Sequence, residues 1–204
     1  MLRNLITCLT FFSVSILSFA QGLDPLHNDK GQFGYGDKST RTFVIKPQWD
    51  EARPFNDYGV AIVRKGKNYG LINKDGKPIG KSMGYSVIVP LDGTEYWLVA
   101  EGGKMVDNDS KIKNRATLSP FGFKGSLSYL ISGAKWGVMK PNGDFIIKPE
   151  YQEISSPFNE NFLIVQKGNL LGIVDLNNNN ILTPVYDGIT PINNQGLLAL
   201  RNKK

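Results

Sequence analysis

The chain of 204 residues carries one cysteine and one histidine, and both scarcities exclude chemistry. Cys8 lies in an apolar N-terminal stretch. If that stretch is cleaved, no thiol remains for a disulfide, a thiolate metal site or a cysteine nucleophile. His27 stands alone, close to Pro25 in a segment without periodicity, where no third group would hold an imidazole for a Ser-His-acid triad. A zinc site wants several His or Cys ligands, and none can be assembled. There is no GxxxxGK[ST] phosphate loop, and no long stretch of helical periodicity follows residue 20. Beyond that residue there is also no apolar run long enough to span a bilayer.

What is present begins with an export signal. Arg3 gives a positive start, Leu5 to Leu17 is an apolar run shorter than a spanning helix, and Ser18-Phe19-Ala20 is a small-x-small cleavage site. A mature chain is expected from Gln21, periplasmic or extracellular and without a transmembrane anchor. A lipoprotein would need its cysteine at the cut, and Cys8 lies inside the run instead. Loss of Arg3 leaves a net charge of +5, against +6 for the whole chain. That balance steers anionic partners weakly, and simple solubility explains it as well. The apolar and charged fractions, 41% and 21%, are those of a globular chain and not a disordered one.

The body of the chain repeats. An aromatic-Gly or apolar-Gly pair recurs at Phe33-Gly34, Tyr69-Gly70, Trp136-Gly137 and Leu171-Gly172. The first interval is 36 residues and the last 35, while the middle one, 67, is close to two periods. A degenerate unit without its glycine is therefore expected near Lys104-Met105-Val106-Asp107. Turn sequences such as Asn73-Lys74-Asp75-Gly76 and Lys140-Pro141-Asn142-Gly143 follow the pairs. A β-branched strand closed by proline comes next, at Pro47, Pro149 and Pro184, with an aromatic two residues on at Trp49, Tyr151 and Tyr186. A third apolar strand ends each unit. The units run roughly 31–65, 66–102, 103–132, 133–167 and 168–202, after a signal peptide at 1–20 and a flexible leader at 21–30.

The pattern resembles the bacterial WG-repeat family of exported proteins. The likeness rests on Gly133-Ala134-Lys135-Trp136-Gly137-Val138, on Asp144 to Tyr151 and on Pro157-Phe158, with Tyr69-Gly70-Leu71-Ile72 and Asp75-Gly76-Lys77 as a second copy. Gly34, Gly70, Trp136, Gly137, Gly172, Pro47, Pro149 and Pro184 are its signature positions here. Phe33, Tyr69 and Leu171 depart from it by standing where the family has tryptophan. The resemblance implies a β-repeat architecture and no catalytic residues.

The expected fold is all-β, with about five tandem three-stranded antiparallel repeats. Short turns join strand three of one unit to strand one of the next, so the final strand is left over. It could complete the first sheet and close a propeller-like ring, which would hide an edge. An open twisted array is the alternative.

Candidate chemistry is thin. Asp50, Glu51, Glu153 and Asp187 recur with the repeat, as loop-bonding acids do, although a paired-carboxylate hydrolase would draw on the same residues. Asp175 to Asn179 and Asp107-Asn108-Asp109 begin like calcium loops, but neither has the required Gly or the closing Glu. One of the strand neighbours Tyr96 and Trp97 should face outward and offer a ligand contact. Lys111, Lys113 and Arg115 alternate in a polar loop and could meet an anion. The reading is a non-enzymatic interaction module for an envelope or extracellular protein or glycan, with no cofactor, no metal and no nucleic acid. A carboxylate-dependent carbohydrate-active hydrolase and a purely structural envelope component are the alternatives.

Overall fold

The computed structural model describes residues 22–105, 131–155, 157–159, 161–193 and 196–202. The expected signal peptide and the candidate contacts Lys111, Lys113 and Arg115 lie outside them. Among the described residues the protein is all-β, without a helix, and its antiparallel sheets hold two to four strands.

The first sheet has the order β1-β2-β3, formed by Asp24–His27, Phe33–Asp37 and Thr42–Trp49. The second joins β4 (Glu51–Ala52), β5 (Val60–Lys65), β6 (Asn68–Asn73) and β7 (Pro78–Ile79) in chain order. The third takes β8 (Val87–Pro90) and β9 (Trp97–Glu101), then passes over β10 (Lys104–Met105) and β11 (Ile131–Ser132) to β12 (Lys135–Met139) and β13 (Phe145–Tyr151). The fourth contains β14 (Glu153–Ile154), β15 (Phe162–Lys167), β16 (Leu170–Asp175) and β17 (Asn180–Tyr186). The last has only β18 (Gly188–Asn193) and β19 (Gly196–Leu200).

The expected pairing of strand three with the next strand one holds at β5–β6 and β15–β16. β5 reaches β6 through Gly66-Lys67, and β15 reaches β16 through Gly168-Asn169. Gly66 and Gly168 take φ of 60° and 65°, as the first position of a two-residue hairpin turn demands. The register is the same in three sheets: Val63 faces Gly70, Val99 faces Gly137 and Val165 faces Gly172.

Two sequence expectations change. The leader at 21–30 is not wholly loose, because β1 pairs with β2 from Asp24–Gly36 to His27–Phe33. Pro25 is tolerated there because β1 is an edge strand that need not donate on both sides. The expected third unit is also not a link in the strand order. Glu101 of β9 pairs directly with Lys135 of β12, at the register where Lys65 meets Asn68 and Lys167 meets Leu170. The link from Glu101 to Lys135 thus takes the place of the two-residue turns at β5–β6 and β15–β16. Its two described ends pair as the short β10–β11 neck, with Lys104 facing Ser132 and Met105 facing Ile131.

The cores lie between successive sheets. One joins the first and second sheets around Tyr35, Trp49 and Ile72, and another the second and third around Leu71, Trp97 and Met139. A third joins the third and fourth around Trp136, Ile147 and Leu163. The last joins the fourth and fifth around Ile164, Ile173 and Ile189. Each fully buried aliphatic side chain contributes roughly 1.5–3 kcal/mol. None of these clusters contains residues of both the first and the last sheet, and β19 pairs with β18, not with β2.

Candidate functional site

The repeat signature is a backbone device. Between Phe33–Trp49 and Tyr35–Ile45 the pairing skips, so Lys46, Pro47 and Gln48 all lie opposite Gly34. The same bulge sets Pro149 over Gly137 and Pro184 over Gly172. A Cβ at Gly34 would collide with the Ile45 carbonyl and stand 2.8 Å from the Pro47 nitrogen; at Gly137 and Gly172 the proline nitrogens would be 2.7 and 2.8 Å away. Proline suits the centre of the bulge because it has no N–H to leave unpaired. At Gly70 the bulge is longer, and the carbonyl of Ser82 takes the covering position.

The aromatics anchor the cores. Trp49, Tyr151 and Tyr186 stand opposite Phe33, Trp136 and Leu171. Trp49 and Tyr151 are buried, Tyr186 half-buried. Tyr85 completes the set: it bridges Tyr69 and is buried, with its hydroxyl 3.4 Å from the Met139 sulfur. Sequence spacing missed it because the longer bulge displaces it. Its signal was an aromatic just ahead of the apolar run Val87 to Val89.

Trp97 is not an outward contact. It is 4% exposed in the core between the second and third sheets, while Tyr96 is half-buried and packs on the opposite core. Both faces of the third sheet are covered, so alternation sorts its residues between two cores and not between core and solvent. The Trp97 indole N–H finds no partner among the described residues.

The recurring acids hold turns. Asp50 accepts a hydrogen bond from the Gly66 amide at 2.6 Å, and Asp187 accepts one from the Asn202 amide at 2.8 Å. Ser86, at the equivalent place, donates to the Gly102 carbonyl at 2.7 Å. Glu51 binds Arg64 at 2.6 Å, and that hydrogen bond holds its carboxyl below the usual range. Glu153 is buried in β14. Asp175 closes its own turn, accepting from the amides of Asn177 and Asn179 at 2.8 Å each and from the Asn179 side chain. The Asn179 side chain first, then its amide, lowers the Asp175 pKa. His27 sits on the exposed β1 edge, against Phe33 with ring centroids 5.9 Å apart. No group of three or more His, Cys, Asp or Glu among the described residues could hold a metal.

A groove of about 800 Å³ opens where the β5–β6 turn meets the β10–β11 neck. Arg64, Lys67, Tyr69, Ser86, Lys104 and Ile131 line it. Arg64 is balanced by Glu51 and, at 3.8 Å, by Asp50. Lys67 and Lys104 make no ion pair with a described residue, so the groove presents cations beside a tyrosine ring. Sequence reading did not assemble this set, because it depends on β10 and β11 lying beside the second sheet.

The fold and its bulges define a class: small antiparallel sheets, four of them built around an x-Gly strand covered by a bulged partner. The chain belongs to the WG-containing repeat family, whose model matches residues 33–69, 136–170 and 172–203, about half of the chain. The unmatched stretch from 70 to 135 holds the lengthened bulge and the excursion. Searches of curated proteins and of solved structures gave no match.

Proposed function

We propose that the protein is a non-enzymatic, exported interaction module. In this reading it is an open array of four x-Gly units, and residues 102–134 interrupt the array instead of forming a fifth. The first twenty residues support export, through Arg3, the apolar run and Ser18-Phe19-Ala20. One observation carries the binding role: β9 pairs with β12 directly, so the stretch between them is not needed to build the sheet, and its two described ends, β10 and β11, border a cationic groove. Repeat arrays bind through such additions because the regular sheets hold them rigidly. Lys67, Lys104 and Tyr69 suit an acidic protein surface or an anionic glycan of the envelope or extracellular space. The hydrolase alternative draws no support from Asp50 or Asp187, whose oxygens bind turn amides.

The test keeps the neck and removes what it carries. Residues 106–130 are replaced by Asn-Gly, a turn that joins the facing pair Met105 and Ile131. The variant should retain the circular dichroism and melting behaviour of the parent. Affinity capture from cross-linked envelope extract, at low and high salt, should recover a reproducible partner with the parent and not with the variant. Recovery of the same partner by both proteins rejects the reading.

A further inference from the structure

We propose that the β18–β19 half-sheet is a docking edge for a second copy of this chain, completed by that copy's β2–β3 hairpin after it releases its own β1. The two end sheets are complementary. In the second, third and fourth sheets the order is a leading strand, strand three, strand one and strand two. The last sheet has the first two of these, β18 and β19, and among the described residues nothing pairs with the outer edge of β19. The first sheet has strand three, strand one and strand two, and among the described residues no leading strand stands beside β1. What one end lacks, the other end carries.

Exposure supports the same pairing. Ile154 faces Val165, as Ile189 faces Ala199, so Leu197 and Leu198 occupy the places of Leu163 and Ile164. Leu163 and Ile164 are fully buried, whereas Leu197 is 36% and Leu198 49% exposed. Leu200 is 56% and Ile192 66% exposed in the same two strands. An apolar recess of about 210 Å³, lined by Phe158, Phe162, Ile173, Ile181 and Leu197, borders β19. An unpaired strand edge beside exposed leucines is a template for another strand.

The strand to be displaced is the weakest of its kind. β1 pairs over four residues including Pro25, while β5–β6 and β15–β16 each pair over six. The repeat register fixes the outcome: Ala199 would face Gly34, Leu198 would face Tyr35 and Leu200 would face Phe33, as Val165, Ile164 and Gln166 face Gly172, Ile173 and Leu171. Among the described residues no core cluster joins the first and last sheets of one chain, so the hairpin comes from another molecule. The contact is head-to-tail and can propagate.

Cysteine cross-linking in the exported chain, with Cys8→Ser, tests this directly. Phe33→Cys and Leu200→Cys are made separately and mixed. Facing strand residues lie about 4.5–5.5 Å apart, within disulfide reach. Oxidation should give a Phe33→Cys/Leu200→Cys heterodimer, and sedimentation of the parent should show mass rising with concentration. Leu198→Lys, at an exposed site, should abolish that rise without changing the melting temperature. Locking β1 to β2 with His27→Cys and Phe33→Cys should also keep the protein monomeric. Three results each overturn the proposal: a parent that stays monomeric with no heterodimer; association that persists when β1 is locked; or a disulfide formed only within one chain carrying both Phe33→Cys and Leu200→Cys, which means the ring closes on itself.

Discussion

Gly137 lies beneath the peptide that joins Lys148 to Pro149, so close that a methyl group on it would stand 2.5 Å from the Ile147 oxygen and 2.7 Å from the Pro149 nitrogen. The obstruction is backbone on both counts and cannot rotate away. The Trp-Gly signature is thus half of a contact whose other half is the bulged Pro149.

Gly137→Ala is therefore expected to lower stability by about 3 kcal/mol, through overpacking that forces the bulge open. Gly172→Ala should do the same, because its added Cβ would stand 2.6 Å from the Leu182 oxygen. Gly22→Ala, with nothing within 4 Å, is the control and should stay within about 0.5 kcal/mol of the parent. Urea unfolding measures all three. A Gly137→Ala midpoint equal to that of Gly22→Ala would mean the bulge yields freely.

Trp97 gives a second expectation, because it was a ligand candidate in the sequence and is a core residue in the fold. Trp97→Ala should cost about 3–5 kcal/mol. Trp97→Phe should cost under about 1.5 kcal/mol, because it also removes an indole N–H that is buried without a partner among the described residues. Denaturant unfolding of both variants decides the matter. Equal, small losses would place the ring at a surface and return it to the candidate contacts.

How far the sequence could be read depends on what each signal measures. The signature glycines and prolines were legible because they occur at fixed spacing, and the spacing reflects one backbone contact made repeatedly. The interval of 67 residues between Gly70 and Gly137 was not legible. Repeat arithmetic does not say which strands pair across that interval, and Glu101 pairs with Lys135. The segment holding Pro25 was read as a flexible leader, yet the edge strand β1 accepts the proline. Tyr96 and Trp97 were sorted by alternation into core and solvent, and the third sheet has no solvent face at that point. The cationic groove had no sequence signal, since Lys67 and Lys104 meet only through the return of the excursion.

Alkaline pH offers the last expectation. Burial raises the Tyr35 hydroxyl well above its ordinary value, and that hydroxyl donates to the Arg53 carbonyl at 2.8 Å. Tyr85 and Tyr151 are raised as well, with burial the largest cause in each. The unfolded chain ionises its tyrosines near pH 10. Above that pH the unfolded state loses protons that the folded state keeps, so the stabilisation is full below about pH 10 and is lost as pH rises toward the folded values. At pH 8, Tyr35→Phe should be less stable than the parent by about 1 kcal/mol, the worth of one hydrogen bond. Every other group is the same in both proteins, so the difference between them isolates Tyr35. Urea midpoints measured from pH 8 to 11.5 should converge above pH 10. A constant gap across that range would mean that Tyr35 ionises as readily folded as unfolded, and that its ring reaches water.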